Sequence, residues 1–285
     1  MSVGSHPHNG DSAVGRMFST HFLSIFVNHD IISENKGPVP VLIISYMRSG
    51  STFTSDVIAS HPSSYYIFEP LIHSIPKTQN VGRKIELING TIITSDDEAV
   101  LVSNFLFSWL TCQYDGLDKK SVLSLTHTNT TTPFKMCLKK GKSNNNETIL
   151  QTCLKVLQKK CESSQIRLVK TIRTRMRTSV EILLKRIPGL KVLHLFRDQR
   201  PRLLSAEKTP MMTYLKLQKT AKLECSRVSD DIAMHQMLKK QHPGRLKTLL
   251  YERLAENPLW VAKRIFDFLL LPLTYSKYHI VITRG

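Results

Sequence analysis

The pattern of hydrophobic and polar positions first becomes regular at a short apolar run. Residues Val41–Ser45 are almost continuously apolar and largely β-branched. Such a run is typical of a strand buried on both faces, as in a parallel sheet. A turn rich in Gly and Ser follows, and beyond it Phe53, Val57 and Ile58 recur at helical spacing. The segment therefore predicts a strand, a turn and a helix.

The same alternation continues along the chain. Further strands are predicted at Tyr65–Phe68, Phe134–Leu138, Ile166–Ile172, Lys191–Phe196 and Leu246–Tyr251. Helices are predicted at Val100–Leu110, Ile149–Leu157, Val180–Ile187, directly after Phe196, and at Leu259–Leu270. Two polar stretches, Lys77–Asp97 and Leu117–Asn146, predict surface loops that would select the acceptor of any reaction. Strands alternating with helices predict an α/β fold with a mostly parallel central sheet.

The ends of the chain differ from its middle. Residues 1–37 are polar and aperiodic, which predicts a flexible lead-in before a single domain over residues 38–285. The longest apolar stretch near the N-terminus, Phe22–Val27, is far shorter than the roughly 20 residues that span a bilayer. It also lacks the flanks of a signal peptide. We therefore expect no transmembrane anchor in this chain.

Charge adds an expectation about partners. The 285 residues carry a net charge of +18, which implies an anionic partner. Nucleic acid, an acidic lipid surface, a nucleotide and an acidic polysaccharide all fit. Between Lys135 and Arg202 there are 18 Lys or Arg residues against four acidic ones, a density that an acidic glycan acceptor would explain.

The cysteines and the glycosylation sequons bear on the compartment. None of the five cysteines lies in a CxxC pair, so we expect no zinc site. They are either buried thiols or form one or two disulfides in an oxidising compartment, and sequence alone does not give the pairing. Sequons at Asn89, Asn129 and Asn146 are compatible with a secretory route.

The turn after the first strand, Ser45–Phe53, is a candidate anion site. Unpaired backbone N–H groups at a helix N-terminus attract negative charge, and Gly50 allows the backbone to approach an anion closely. Arg48 supplies a positive charge, and hydroxyl donors are available from Ser49, Ser51 and Thr52. The structural alternative is a Ser-rich, N-capped helix start.

A P-loop NTPase would need the pattern G-x-x-x-x-G-K-[ST] at this turn. Aligning Gly50 with the second glycine places Ser45 at the first glycine and Ser51 at the lysine. Two defining positions fail, and one of them is the lysine that reaches the β- and γ-phosphates. The turn therefore resembles a phosphate loop without being that of a kinase.

A second candidate site follows the predicted strand that ends at Phe196. Arg197 lies at the carboxyl end of this strand, where α/β sheets bind ligands, and Ser205 falls in the next helix. A guanidinium and a hydroxyl at this spacing could hold one phosphate. The alternative is an ordinary solvated, basic helix start.

Together the two segments resemble the galactose/N-acetylgalactosamine/N-acetylglucosamine 6-O-sulfotransferase family of carbohydrate sulfotransferases. The family's 5′-phosphosulfate loop reads Arg-Ser-Gly-Ser-Ser/Thr-Phe, matched by Arg48–Phe53. Its 3′-phosphate element is Arg-Asp-Pro-Arg with a later Ser, matched by Arg197, Asp198, Arg200 and Ser205, with Gln199 in place of Pro. Phe68–Leu71 with His73, Val169–Arg173 and Tyr251–Pro258 are also similar.

The resemblance implies a P-loop-like sulfotransferase fold and a donor, 3′-phosphoadenosine 5′-phosphosulfate (PAPS). The loop would bind the 5′-phosphosulfate, with Arg48 assisting catalysis, through Arg48, Ser49, Gly50, Ser51, Thr52 and Phe53. Arg197 and Ser205 would bind the 3′-phosphate. The acceptor would be the 6-hydroxyl of Gal, GalNAc or GlcNAc in an acidic or neutral glycan, on a glycoprotein or glycosaminoglycan. The family needs no metal, and the resemblance places the chain in the Golgi, although its members usually begin with a membrane anchor.

An acceptor hydroxyl also needs a general base within hydrogen-bond reach. Glu69 follows the second predicted strand and is the first candidate, with His73 in reserve; its structural alternative is a carboxylate that pairs with a cation. Lys170 and Arg173 lie on or just after a predicted strand and are candidates for contacting donor or acceptor, or else are ordinary basic surface.

Three rival functions follow from the same residues. A nucleotide kinase is disfavoured by the absent loop lysine. A nucleic-acid-binding protein fits the charge, but the chain has no helix-turn-helix, zinc-finger or aromatic RNA-binding pattern, so we expect no nucleic-acid partner. The third is an inactive or truncated family member that only binds glycans.

Overall fold

The computed structural model describes residues 37–75, 84–94, 97–141, 147–207 and 214–273, with only the backbone for residues 207 and 214–220. The predicted lead-in, apart from Gly37, and the apolar stretch Phe22–Val27 lie outside these residues, and the domain boundary stays a prediction. Among the described helices, none combines the length and the apolar character needed to cross a bilayer.

Seven strands lie within the described residues, and five of them form one parallel sheet. They are β1 Val39–Ile44, β2 Ser64–Phe68, β3 Lys84–Glu86, β4 Ile92–Thr94, β5 Ile166–Thr171, β6 Lys191–Phe196 and β7 Leu246–Leu250. The sheet order is β2-β5-β1-β6-β7, and β3 and β4 form a separate antiparallel hairpin. The prediction of a parallel α/β sheet is confirmed.

Ten α-helices lie within the same residues. They are α1 Ser51–Ala59, α2 Glu98–Thr111, α3 Lys119–Leu123, α4 Thr132–Lys140, α5 Glu147–Glu162, α6 Glu181–Arg186, α7 Gln199–Glu207, α8 Tyr214–Gln241, α9 Tyr251–Glu256 and α10 Pro258–Leu269. A short π-helical turn, Met176–Val180, precedes α6. Helix α8 extends well beyond the one helix that the sequence predicted after Phe196.

Helices cover both faces of the sheet, which explains the continuous apolar strands. On β1, Leu42 packs into the same core as Trp109 of α2, whereas its neighbour Val41 packs into the core that contains Phe266 of α10. All four side chains are at most 1% exposed. Alternate strand residues therefore serve opposite layers.

The predicted strand Phe134–Leu138 is wrong, because this segment lies in α4. Pro133 stands in the first turn of the helix, a position that needs no backbone N–H. Phe134 and Leu138 are four residues apart and both buried, which places them on one helical face. The run was too short for periodicity to separate a strand from a helix.

The Thr-rich stretch before α4 is not a free surface loop but covers the edge of the sheet. The hydroxyl of Thr130 accepts a hydrogen bond from the backbone N–H of Tyr66 in β2 at 2.9 Å. The hydroxyl of Thr128 donates to the carbonyl of the same residue at 3.4 Å. The backbone N–H and C=O of Tyr66, on an edge strand, are thereby both paired, which protects this part of the edge.

Two disulfides decide between the alternatives that the cysteines left open. Cys112 is bonded to Cys161, and Cys137 to Cys153. The first joins the end of α2 to α5, and the second joins α4 to α5. Cys225 on α8 is a free, exposed thiol. Disulfides of this kind are typical of proteins that fold in an oxidising compartment.

Candidate functional site

The turn after β1 occupies the carboxyl edge of the sheet, at the central strand. Gly50 has a φ of 78°, in the left-handed region, and no side chain caps the start of α1. A Cβ at this position would lie 2.0 Å from a ring carbon of Tyr251. Position 50 therefore needs glycine for two reasons, the positive φ and the absence of room for a side chain beside Tyr251. The uncapped helix start leaves its first N–H groups for an anion.

Ser49 differs from the sequence prediction. Its side chain is fully buried, its hydroxyl donates to the carbonyl of Tyr46 at 2.5 Å, and it accepts from the Tyr46 N–H at 3.2 Å. This hydroxyl closes the turn and is not a donor to a ligand. Ser51 and Thr52, in contrast, line the cavity in front of the loop.

The two candidate sites, some 150 residues apart in sequence, meet at this edge. The guanidinium of Arg197 donates to the carbonyl of Arg48 at 3.0 Å. Arg48 in turn donates through Nε to the hydroxyl of Ser205 at 3.0 Å. The parallel register of β1 beside β6 brings them together, because both strands end at the same edge.

A cavity of about 460 Å³ opens in front of these residues. Arg197 also lies over the ring of Tyr251, with its guanidinium carbon 4.6 Å from the ring centroid. The lining includes every predicted loop residue except Ser49 and also Lys170, Arg173 and Glu69. The complete set is Met47, Arg48, Gly50, Ser51, Thr52, Phe53, Phe68, Glu69, Ile72, Lys170, Ile172, Arg173, Arg197 and Tyr251.

The sulfotransferase domain model matches residues 38–284, which is most of the chain. This chain belongs to the sulfotransferase domain family. Its helix-flanked parallel sheet is the sulfotransferase fold, and the activity of the family is transfer of a sulfuryl group. No curated protein sequence matches the chain.

Solved structures similar to this sulfotransferase have low sequence identity to it. The sulfotransferase from Alicyclobacillus acidocaldarius is 12% identical over 84% of this chain and 84% of its own, with a TM-score of 0.44. The sulfotransferase domain of the Synechococcus PCC 7002 olefin synthase is 18% identical over 88% and 82%, with a TM-score of 0.45. Mouse sulfotransferase SULT7A1, complexed with PAP, is 10% identical over 86% and 63%, with a TM-score of 0.44.

The carboxylate of Glu69 lies in the sulfotransferase cavity as an ion pair. Lys170 Nζ is 2.6 Å from Glu69 Oε1, and both side chains are more than nine-tenths buried. The backbone N–H of Ile172 donates to the other carboxylate oxygen at 3.3 Å. Glu69 itself has a positive φ of 46°. The pair leaves lone pairs on both carboxylate oxygens for a further donor.

The other sequence candidates divide between cavity and surroundings. Arg173 lines the cavity, and its Nε is buried without a hydrogen-bond partner among the described residues. His73 is half-buried and is not part of the cavity lining. Ser205 contacts Arg48 and is not part of the lining either. Among the described residues, no group of three or more His, Cys, Asp or Glu side chains could hold a metal ion.

Sequence reasoning missed Arg202, which is buried behind the loop. Its guanidinium donates to the carbonyl of Met47 at 3.0 Å, to Gln199 at 2.7 Å and to Glu224 of α8 at 3.3 Å. Its side chain is 1% exposed, whereas that of Arg200 two residues earlier is 88% exposed. The basic helix start is thus a solvated surface only in part.

A buried polar network below the loop was also missed. The hydroxyl of Tyr46 lies 3.0 Å from His194 Nε2 and donates to Asp231 at 3.2 Å. Asp231 also accepts from Arg175 and from the backbone N–H of Met176. Burial, and secondarily Asp231, raises the pKa of Tyr46 well above its ordinary value. Burial likewise lowers the pKa of His194 to about 3, so this ring is neutral.

Proposed function

We propose that this sulfotransferase moves the sulfuryl group of PAPS to the 6-hydroxyl of Gal, GalNAc or GlcNAc in a glycan, in the Golgi lumen. The observation that carries the proposal is the contact between the two phosphate elements. Arg197 and Arg48 are held together by a 3.0 Å hydrogen bond at the mouth of one cavity. One arginine on each of the two phosphate elements suits a donor that carries a 3′-phosphate as well as a 5′-phosphosulfate, and the 3′-phosphate distinguishes PAPS from ATP.

In this mechanism the loop binds the 5′-phosphosulfate. The N–H groups at the start of α1 and the Arg48 guanidinium stabilise the charge that grows on the departing 5′-phosphate. Arg197, with Ser205 beside it, binds the 3′-phosphate. The donor supplies the sulfuryl group and leaves as 3′-phosphoadenosine 5′-phosphate. No residue of the chain forms a covalent intermediate in this scheme, so positioning and electrostatics do the work.

Glu69 is the general base of this proposal. A bond forms between the acceptor oxygen and sulfur while the bond between sulfur and the 5′-phosphate oxygen breaks, and the hydroxyl proton passes to Glu69. Lys170 Nζ, 2.6 Å from Glu69 Oε1, holds the carboxylate in position in the cavity. Arg173, whose buried Nε has no hydrogen-bond partner in the described part of the chain, is placed to contact the sulfate or the acceptor.

The glycan acceptor and the Golgi location are supported by observations other than the site geometry. Two disulfides favour an oxidising compartment. Asn89 and Asn129 are exposed in the folded protein, so glycans on these two sequons would fit, while Asn146 lies outside the described residues. The resemblance to the 6-O-sulfotransferases supplies the sugar and the position. The basic surface favours an acidic acceptor over a neutral one.

Calorimetric binding of 3′-phosphoadenosine 5′-phosphate, with ATP plus magnesium as the comparison ligand, tests the donor. We expect clear binding of the former and little of the latter. Arg197→Ala should weaken binding at least tenfold, because a charge-assisted contact is worth about 1.5–3 kcal/mol. Arg200→Ala is the matched control, since this exposed side chain is paired with Asp198 and does not line the cavity. Preferred binding of ATP would refute the donor assignment.

Transfer itself is measured with sulfur-labelled PAPS and a panel of Gal-, GalNAc- and GlcNAc-terminated acceptors. We expect labelled product that disappears in Glu69→Gln while donor binding is retained. Donor binding without transfer to any sugar would refute the proposed activity and leave a family member that only binds ligands.

A further inference from the structure

Helices α4 and α5, here called the basic hairpin, carry six lysines and are joined by the Cys137–Cys153 disulfide. The Cα atoms of the two cysteines are 5.6 Å apart, so the helices are in close contact at this point. Their buried faces contribute Phe134, Leu138, Leu150 and Leu157 to the core. The lysines are Lys135, Lys139 and Lys140 on α4 and Lys155, Lys159 and Lys160 on α5.

The charge of these lysines is not compensated. None of the six forms an ion pair within the part of the chain that the structure describes. The two acidic residues of the hairpin offset little of this charge, because Glu147 pairs with Lys119 at 3.2 Å and Glu162, which accepts from Gln158 of the same helix at 2.8 Å, is a single charge against six. The basic hairpin is therefore a local source of positive potential.

The spacing of the lysines suits a linear polyanion. Lys135 and Lys139 are four residues apart on α4, as are Lys155 and Lys159 on α5, so each pair lies on one helical face. A helix rises about 6 Å over four residues, which sets two charges along each helix axis. The disulfide fixes one helix against the other and so holds both rows in one arrangement.

The basic hairpin is separate from the catalytic cavity but attached to its walls. No residue of α4 or α5 lines the cavity. The turn before α4 is hydrogen-bonded to Tyr66 of β2, and α5 leads into β5. Glu69 directly follows β2 and Lys170 lies on β5, so the two strands that anchor the hairpin also bring the ion pair to the cavity.

We propose that the basic hairpin is a docking surface for an acidic glycan chain, outside the catalytic cavity. The partner is assigned as a glycan because disulfides mark compartments in which sulfated and carboxylated glycans, and not nucleic acids, are the common linear polyanions. This inference rests on the proposed function in one respect, because the docked glycan would also be the acceptor of the sulfuryl group. It would raise the local concentration of acceptor hydroxyls at the cavity.

Fluorescence anisotropy of a labelled chondroitin sulfate oligosaccharide on the full chain, at several salt concentrations, tests the surface. We expect Lys155→Glu with Lys159→Glu to weaken binding roughly tenfold or more, since two exposed ion pairs together account for about one order of magnitude. The matched control, Lys239→Glu with Lys240→Glu at the exposed end of α8, makes the same charge change and should lower affinity about twofold at most.

Equal losses in both double variants would overturn the proposal, because overall charge and not the hairpin would then bind the glycan. Equal or tighter binding of duplex DNA or of anionic phospholipid vesicles, with the same loss in the hairpin variant, would also overturn it. Binding of 3′-phosphoadenosine 5′-phosphate, measured in parallel, should be unchanged in the hairpin variant. Conversely, Arg48→Ala should lose the nucleotide and keep the glycan, which separates failure of this surface from failure of the proposed function.

Discussion

Replacing Arg202 by Met tests whether a buried arginine holds the phosphate loop. The substitution keeps most of the side-chain volume and removes every hydrogen bond that the Arg202 guanidinium makes to the described residues. Three acceptors lose a donor: the Met47 carbonyl at 3.0 Å, Gln199 at 2.7 Å and Glu224 at 3.3 Å. Because Met47 directly precedes Arg48, the loop loses one of its ties to α7 and keeps the hydrogen bond from Arg48 to Ser205.

The expected loss of stability in Arg202→Met depends on the acceptors that remain without a donor. Breaking a buried ion pair by removing one partner costs about 3–5 kcal/mol. Glu224 retains Arg227 at 3.6 Å and is 21% exposed, which reduces this cost. The unpaired carbonyl and amide oxygens add about 1 kcal/mol or more. We therefore expect the free energy of unfolding to fall by about 3 kcal/mol, a decrease in Tm of roughly 6–12 °C.

Thermal unfolding measures the loss of stability, and calorimetry on the same preparations measures the loss of nucleotide affinity. Arg202→Met should lower the Tm and weaken binding of 3′-phosphoadenosine 5′-phosphate about tenfold, and Arg202→Lys should give smaller changes because it keeps the charge but not the fork of donors. Arg200→Ala, in the same helix but exposed, should leave the Tm unchanged. A wild-type Tm and wild-type affinity in Arg202→Met would refute the reasoning.

Three further substitutions have expected outcomes. Gly50→Ala places a methyl group 2.0 Å from a Tyr251 ring carbon at a φ of 78°, so nucleotide binding measured by calorimetry should fall tenfold or more; unchanged affinity would contradict the close approach. Burial lowers the pKa of His194 to about 3 in the folded protein. His194 is therefore protonated near pH 6.5 in the unfolded chain but stays neutral in the folded chain until the pH approaches 3. The contribution of neutral His194 to the free energy of unfolding is complete above about pH 6.5 and is lost as the pH falls towards 3. In urea denaturation, His194→Gln should reduce the slope of the free energy of unfolding against pH in this range by up to about 1.4 kcal/mol per pH unit. Replacing Cys112 and Cys161 together by Ser opens a loop with a separation of 49 residues and should cost about 4 kcal/mol, seen as a lower urea midpoint; an unchanged midpoint would contradict it.

The sequence predicted those parts of the site that depend on local pattern. The strand Lys191–Phe196 was predicted with its observed bounds, because a β-branched run between a Pro-Gly helix stop and a polar turn leaves little freedom. The strand, turn and helix around Gly50 were predicted for the same reason. The hydrogen bond between Arg48 and Arg197 was not predicted, although both residues were placed directly after strands of one parallel sheet.

What the sequence could not give depends on which face of an element is buried. In α7, Arg202 is buried while Leu204 is 59% exposed, the reverse of an amphipathic pattern. The hydrophobic pattern of α7 therefore predicts the wrong buried face. The contact of Tyr46 with Asp231 joins residues 185 positions apart, and neither residue alone distinguishes a buried network from an ordinary core.

The arginines around the loop divide into two groups by their partners, and this division gives the cavity its charge. Behind the loop, the buried Arg202 is paired with Glu224, and the partly exposed Arg175 is paired with the buried Asp231. In the cavity lining the arginines are Arg48, Arg173 and Arg197, and none of the three has a carboxylate partner among the described residues. Glu69 does not offset them, because Lys170 already neutralises it. Glu224 and Asp231 thus lie on the structural side of the loop, and the cavity presents uncompensated positive charge, which is the arrangement that a polyanionic donor requires.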